Sequence, residues 1–297
     1  MKKILITGAS GFLGWNLCKQ AQNKWQVYGT FWTHPVSMPQ INLIKVDLGN
    51  EQELYQLFAT VKPDAVIHTA AASQPNFCQT NPEESHRINV LASVNIAKLC
   101  AVAKIPCVFT STDLVFDGTK PNYLETDPVS PICIYGEQKV IAEQSMLEAY
   151  PKTAICRMPL MFDLPSPVSN SFMQGMVSKL RSHEELNLFS DEFRTPASAQ
   201  TAASGLLLAI DKKVNGIIHL GGIERISRYE FGLLLARVMG ITDAKIKPGS
   251  QKDVVMPAPR SPDTSLDSGK AFALGYQPKS IEEELQRILK VLSLIHI

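Results

Sequence analysis

No surplus of either charge runs through this chain. Its 29 Lys and Arg face 28 Asp and Glu, a formal net charge of +1, and no block of five like charges occurs. Nucleic acids and anionic membrane surfaces recruit proteins through a basic excess, so this balance argues against both as partners. There is also no run of eighteen apolar residues, which excludes a membrane-spanning helix. The start, MKKILITGASGFLG, imitates a signal peptide, but Thr7, Gly8, Ser10 and Gly11 break its apolar run early. A soluble, cytoplasmic protein is expected. The six cysteines (Cys18, Cys78, Cys100, Cys107, Cys133, Cys156) show no CxxC and no paired spacing, so they read as buried reduced thiols. The six histidines lack HxxxH spacing, and no metal site is expected.

What is present is an alternation of short apolar strands and helical patterns, the mark of βαβ units and a parallel sheet. The 297 residues suffice for one large domain or two intimate lobes. Strands are expected at 3–7, 26–32, 42–48, 64–71, 106–112 and 152–159. Helices are expected at 12–22, 50–61 (opened by an Asn50 cap), 82–103 and 135–150. After Pro159 the pattern changes: a Pro- and Ser-rich loop at 163–171, a helix at 172–180, a buried strand at 216–222, and a helix at 227–240 capped by Ser227. The expected fold class is α/β, a Rossmann-type doubly wound parallel sheet with a smaller C-terminal substrate-binding lobe. The dinucleotide-binding domain would span 1–162 and the lobe 163–291, with some of its segments returning to the main sheet. Residues 292–297, LSLIHI, match no cap or turn, resemble a translated sequencing adapter, and are set aside as a non-native tail.

Gly8, Gly11 and Gly14 form GxxGxxG directly after the first strand and at the opening of the first helix. Glycines there let the backbone turn sharply and approach a pyrophosphate, whose charge then sits on the helix N-terminus. A tight strand–helix turn would need glycine too, but the first βα junction is where a dinucleotide binds. An acid about twenty residues beyond the loop would bind the ribose diol of NAD. None lies between Thr30 and Pro35, so nothing there repels a 2′-phosphate. His34 is the candidate to help hold one, with a solvated loop histidine as the alternative. NADP(H) and NAD(H) both remain open, with a lean to the former.

Tyr135 and Lys139 are four residues apart, so a helix stacks them on one face. The strand before it ends in hydroxyls, at Thr110, Ser111 and Thr112. Together with the glycine loop, STDLVFDGTKPNYLETDPVSPICIYGEQKVIAE (111–143) resembles the extended short-chain dehydrogenase/reductase family, most of all dTDP-4-dehydrorhamnose reductases and related sugar-nucleotide reductases. GIIHLGG…ISRYEF and SPDTSLDSGKAFALGYQP are similar to the family's C-terminal signatures, and the resemblance covers the chain to about residue 290.

The resemblance implies a division of labour. Tyr135 would protonate a carbonyl oxygen, Thr112 would orient it, and Lys139 would hold the nicotinamide ribose and lower the tyrosine pKa. Gly8, Gly11, Phe12, Leu13 and Gly14 would cradle the cofactor. Asp47 and Leu48 would line the adenine, and Thr69, Ala70 and Ala71 the cofactor's middle. Asp113, Arg194 and Arg260 would meet the substrate, the arginines taking the nucleotide diphosphate with their planar forks. A nucleotide-linked 4-keto-6-deoxy sugar is the implied substrate, and a homodimer is left open. Leu114 departs from the Tyr common in the reductases and from the Glu of related dehydratases. AAASQPNFCQ (70–79) is nearer to the regulatory β subunit of methionine adenosyltransferase. A cofactor-binding regulatory subunit and a nucleotide-sugar epimerase are therefore the alternatives.

Overall fold

A computed structural model describes residues 1–294. The N-terminal half runs β1 (Lys3–Thr7), α1 (Phe12–Ala21), β2 (Gln26–Phe31), β3 (Asn42–Lys45), α2 (Glu51–Val61) and β4 (Ala65–His68). Then follow α3 (Pro75–Thr80), α4 (Pro82–His86), a π-helical turn (Arg87–Leu91), α5 (Ala92–Ala103), β5 (Cys107–Thr112), α6 (Ile134–Ala149) and β6 (Ala154–Met158). The strands form one parallel sheet in the order β6-β5-β4-β1-β2-β3, with Gly216–His219 added outside β6. Chain order reverses between β1 and β4, the switch point at which doubly wound sheets bind ligands beyond their carboxyl ends. Strands buried on both faces read as continuous apolar runs. β1 and β4 do so, with Ile4, Leu5, Ile6, Val66 and Ile67 at 0% exposure.

Two cores lie on opposite faces of the sheet. One joins Ile4, Ile6 and Ile67 to Leu17 and Cys18 of α1 and to Ala202, Leu206 and Ile210 of a helix at Ala199–Asp211. The other joins Leu5, Val66 and Phe109 to Leu54 and Phe58 of α2, Ile96 of α5 and Met146 of α6. A third core, built on Phe162, Met176, Phe231, Leu235 and Leu285, lies in the C-terminal lobe. The strand Gly216–His219 joins the main sheet, and the helix Ala199–Asp211 packs on it.

Three segments add to the expected elements. The helix expected at 82–103 contains the π turn Arg87–Leu91. There Asn89 exchanges two hydrogen bonds with Ala72, accepting from its N–H at 2.9 Å and donating to its carbonyl at 3.1 Å. α3 fills the interval between the expected strand at 64–71 and the expected helix at 82–103, where no element is expected. Of the tail set aside at 292–297, residues through Leu294 continue the helix Ile281–Leu294, and Leu292 packs on the third core. Residues 295–297 lie outside the described residues. The six cysteines are buried thiols.

Candidate active site

A cleft of about 840 Å³ opens over the carboxyl ends of β1, β2, β4 and β5 and reaches the C-terminal lobe. One wall is the glycine loop. Gly8 has φ +70°, and a Cβ there would come within 2.8 Å of the Ala70 Cα. A Cβ at Gly14 would run into the Gly8 carbonyl oxygen, so the loop closes only as glycine. Gly11 caps α1 with no side-chain acceptor. The first N–H groups of α1, from Phe12, Leu13 and Gly14, therefore stand at the cleft without a capping side chain. This is the cradle a pyrophosphate requires, and the residues present fit a dinucleotide cofactor.

Thr69, Ala70 and Ala71 follow β4 and are held by a buried relay. The Ser93 hydroxyl donates to the Asn89 carbonyl at 2.7 Å, so it accepts from His68 Nε2 at 3.0 Å. His68 Nδ1 is then the acceptor for the Thr7 hydroxyl at 2.6 Å, and Thr7 Oγ1 accepts from the N–H groups of Thr69 and Ala70. Burial, with the Lys139 charge second, pushes His68 down to about 3, keeping it neutral.

Thr112 at the end of β5 and Tyr135 and Lys139 on the first turns of α6 line the same cleft and are all buried. The Lys139 ammonium donates to the Thr110 carbonyl at 2.9 Å and lies 4.4 Å from the Phe109 ring centre and 5.9 Å from that of Tyr135. Burial lowers Lys139 to about 8, with Glu143 pulling the other way. The resemblance implies that Lys139 lowers the Tyr135 pKa, and Lys139 is not among the groups that shift it here. Desolvation raises the phenol above its ordinary value, the Cys78 and Asp113 charges add to this, and a hydrogen bond with Thr112 opposes it. The ammonium is turned to the Thr110 carbonyl.

Asp113 is 4% exposed. It accepts from Thr264 Oγ1 at 2.8 Å and from Thr112 Oγ1 at 3.1 Å, and it lies 3.3 Å from Arg194 Nε. Burial raises its pKa, with the Arg194 charge working against that. Arg194 also meets Glu192 at 3.3 Å and donates to the Phe193 and Ser261 carbonyls. Arg228, on the far side of Glu192 at 3.5 Å, completes an alternating row of charges along the cleft. Arg260 differs. Its Nη2 donates to Asn76 at 2.9 Å, while its buried Nη1 has no partner among the described residues.

Every other residue assigned to the site, Gly8 through Arg260, lines this cleft, but His34 does not. β2 ends at Phe31, and of the turn beyond it Trp32 and Thr33 line the cleft while His34 is exposed outside it. Sequence reasoning missed Arg87 and Arg228. Both reach the cleft from distant segments and carry no local motif. Asn170 and Ser171 of the C-terminal lobe also line it.

The profile of a family described as the RmlD substrate binding domain matches residues 1–294. Among known proteins, the chain is 29% identical to "Methionine adenosyltransferase 2 subunit beta" of Xenopus laevis, over 92% of this chain and 83% of that one. Among solved structures, a dTDP-4-dehydrorhamnose reductase from Clostridium acetobutylicum superposes with a TM-score of 0.86 at 28% identity, covering 98% of this chain and 99% of the other. The dTDP-4-dehydrorhamnose reductase of Bacillus anthracis, solved in complex with NADP, has the same fold (TM-score 0.85, 24% identity, 98% and 100% covered).

Proposed function

We propose that this chain, which belongs to the RmlD substrate binding domain family, is an NAD(P)H-dependent reductase of a nucleotide-linked 4-keto-6-deoxy sugar. The observation that carries the reading is the convergence of Thr112, Tyr135 and Lys139 in one cleft with an uncapped, glycine-lined helix N-terminus. The likeness to a dTDP-4-dehydrorhamnose reductase at 28% identity supports the substrate class.

When bound, the reduced nicotinamide supplies a hydride to the sugar ketone. The chain's own residues do the rest. Gly8 and Gly11 to Gly14 hold the pyrophosphate, Asp47 and Leu48 the adenosine, and Thr69 to Ala71 the cofactor's middle. Tyr135 gives its proton to the carbonyl oxygen as that oxygen becomes an alkoxide. The burial that raises the phenol pKa also disfavours the nascent alkoxide, so it does not forbid the transfer. Lys139 holds the nicotinamide ribose, and the Thr112 hydroxyl orients the oxygen. Arg260, with its unpartnered Nη1, holds the diphosphate, since a guanidinium fork suits phosphate. The test is oxidation of NADPH or NADH by purified protein given a dTDP-4-keto-6-deoxy sugar. Absence of turnover with every keto-sugar nucleotide would refute the reading.

A second reading has its own support, the 29% identity to a methionine adenosyltransferase β subunit. On it the cleft binds cofactor for regulation of another enzyme. Tight cofactor binding without oxidation by any keto-sugar nucleotide would favour it.

A further inference from the structure

The adenosine half of the cofactor must lie on the side of the glycine loop away from Tyr135. That end of the cleft is lined by Trp32, Thr33, Leu48, Gly49, Arg87 and Ile88. Leu48 and Ile88 are apolar, as a base plane requires. Asp47 and Arg87 are the polar pair beside them. Arg87 rises from the π turn, and its Nη1 donates to both Asp47 oxygens at 3.0 and 2.9 Å. The Gly49 N–H donates to Asp47 Oδ1 at 2.9 Å, and a Cβ on Gly49 would strike the guanidinium. The carboxylate is therefore fixed from two directions by groups 40 and 2 residues away in sequence. Arg87 is half-buried at the cleft wall. Its Nη2 and Nε make no other hydrogen bond among the described residues.

We propose that Arg87 is the positioning residue of the adenosine end: it holds the Asp47 carboxylate toward the cleft to accept the adenine exocyclic amine, and covers the base with its guanidinium. This rests on the cofactor reading above. It assigns Arg87 to the base, not to a 2′-phosphate, because its hydrogen bonds run to Asp47. A carboxylate so close would repel a phosphate at the same nitrogen.

The test is titration of NADPH, NADH and the deaminated cofactor, nicotinamide hypoxanthine dinucleotide phosphate, into wild type, Arg87→Ala and Arg87→Lys. Thermal melts and turnover are followed alongside. Loss of a charge-assisted contact predicts that Arg87→Ala weakens NADPH and NADH alike by about ten-fold or more. Wild type should prefer NADPH to its deaminated form, and Arg87→Ala should lose that preference. The loss should appear in the cofactor KM more than in kcat, and Arg87→Lys should restore part of the affinity. Unchanged affinity in Arg87→Ala, a loss confined to NADPH, or a fall in turnover that tracks a lowered melting temperature would each overturn the proposal. If wild type binds none of the three, the cofactor reading itself fails, an outcome plainly different from a variant that binds as wild type does.

Discussion

Arg194 Nε stands 3.3 Å from Asp113 Oδ2, two side chains at 5% and 6% exposure that tie the end of β5 to the C-terminal lobe. Arg194 meets Glu192 as well, so its fork is engaged by protein on both sides. The two arginines that sequence reasoning treated alike therefore separate. Removing one partner of a buried pair leaves uncompensated charge and costs on the order of 3 kcal/mol. Arg194→Ala should lower the urea unfolding free energy by about that much, because Asp113 and Glu192 lose their shared cation. Arg260→Ala should leave stability within about 1 kcal/mol, since it abolishes a single half-buried hydrogen bond, and should instead raise KM for the nucleotide sugar. Denaturation curves and steady-state kinetics of the two variants distinguish these outcomes. A destabilised Arg260→Ala with normal KM would assign that arginine to structure.

Tyr135 carries the second prediction. Tyr135→Phe keeps the ring in its buried cluster with Cys78, Cys133 and Ala258 and removes the hydroxyl alone. General acid catalysis is typically worth 10²- to 10⁴-fold, so turnover should fall by about that factor. Cofactor affinity should stay within about two-fold. Calorimetry and single-turnover absorbance measure the two quantities, and near-normal turnover would make this tyrosine structural.

Much of this arrangement is legible in the amino-acid sequence, for physical reasons that also mark where legibility ends. β1, α1 and the glycine loop announce themselves because apolar period, glycine spacing and helix opening are all local. The Ser227 cap reads equally well: it accepts from the Glu230 N–H at 3.1 Å while Glu230 reaches back to the Ser227 N–H at 2.8 Å. The π turn at Arg87–Leu91 leaves no trace in apolar spacing, and its Asn89 pairs with Ala72, seventeen residues away. Ala199–Asp211 is hard to see for a related reason. Its alanines and Leu206 are buried, and half-buried Leu207 and Leu208 interrupt the polar face of Gln200, Ser204 and Asp211 that would mark a surface helix. Arg87 and Arg228 belong to the site only through tertiary contact, and His34 lies in the right segment but outside the cleft.

Stability should depend on pH through two buried histidines. His68 is held down to about 3 and His219 to about 4, each chiefly by burial, against an ordinary value near ~6.5. Below pH ~6.5 the unfolded chain takes up protons that the folded chain refuses, so stability falls as pH drops through that point toward the folded values. By pH ~4 the loss is on the order of 3 kcal/mol for each, as an upper figure. Asp113, whose carboxyl is raised, acts in the opposite sense. Urea midpoints between neutral pH and pH ~4.5 should fall steadily. His68→Gln should be less stable at neutral pH yet show a shallower slope, and an unaltered slope would remove His68 from this account.

Leu114 decides between two enzymes on one scaffold. A nucleotide-sugar 4,6-dehydratase must take a proton from the carbon beside a transient ketone and then expel water, and the related dehydratases place two carboxyl groups directly after the threonine for this. Here Thr112 is followed by Asp113 and Leu114, and Leu114 lines the cleft. An alkyl group moves no proton. Asp113 is already engaged by Thr112, Thr264 and Arg194, and burial raises its pKa. It can serve at most one of the two proton transfers, and the other has no candidate in this motif. Reduction of a ready-made ketone asks only for a hydride donor, the Tyr135 proton and an orienting hydroxyl. The expected outcome is that dTDP-glucose persists unchanged with this protein, whereas a dTDP-4-keto-6-deoxy sugar is reduced when NADPH or NADH is supplied. NMR of the sugar ring follows both incubations directly. Formation of the 4-keto-6-deoxy product from dTDP-glucose would mean that Asp113 manages both proton transfers, and the reductase reading would fall.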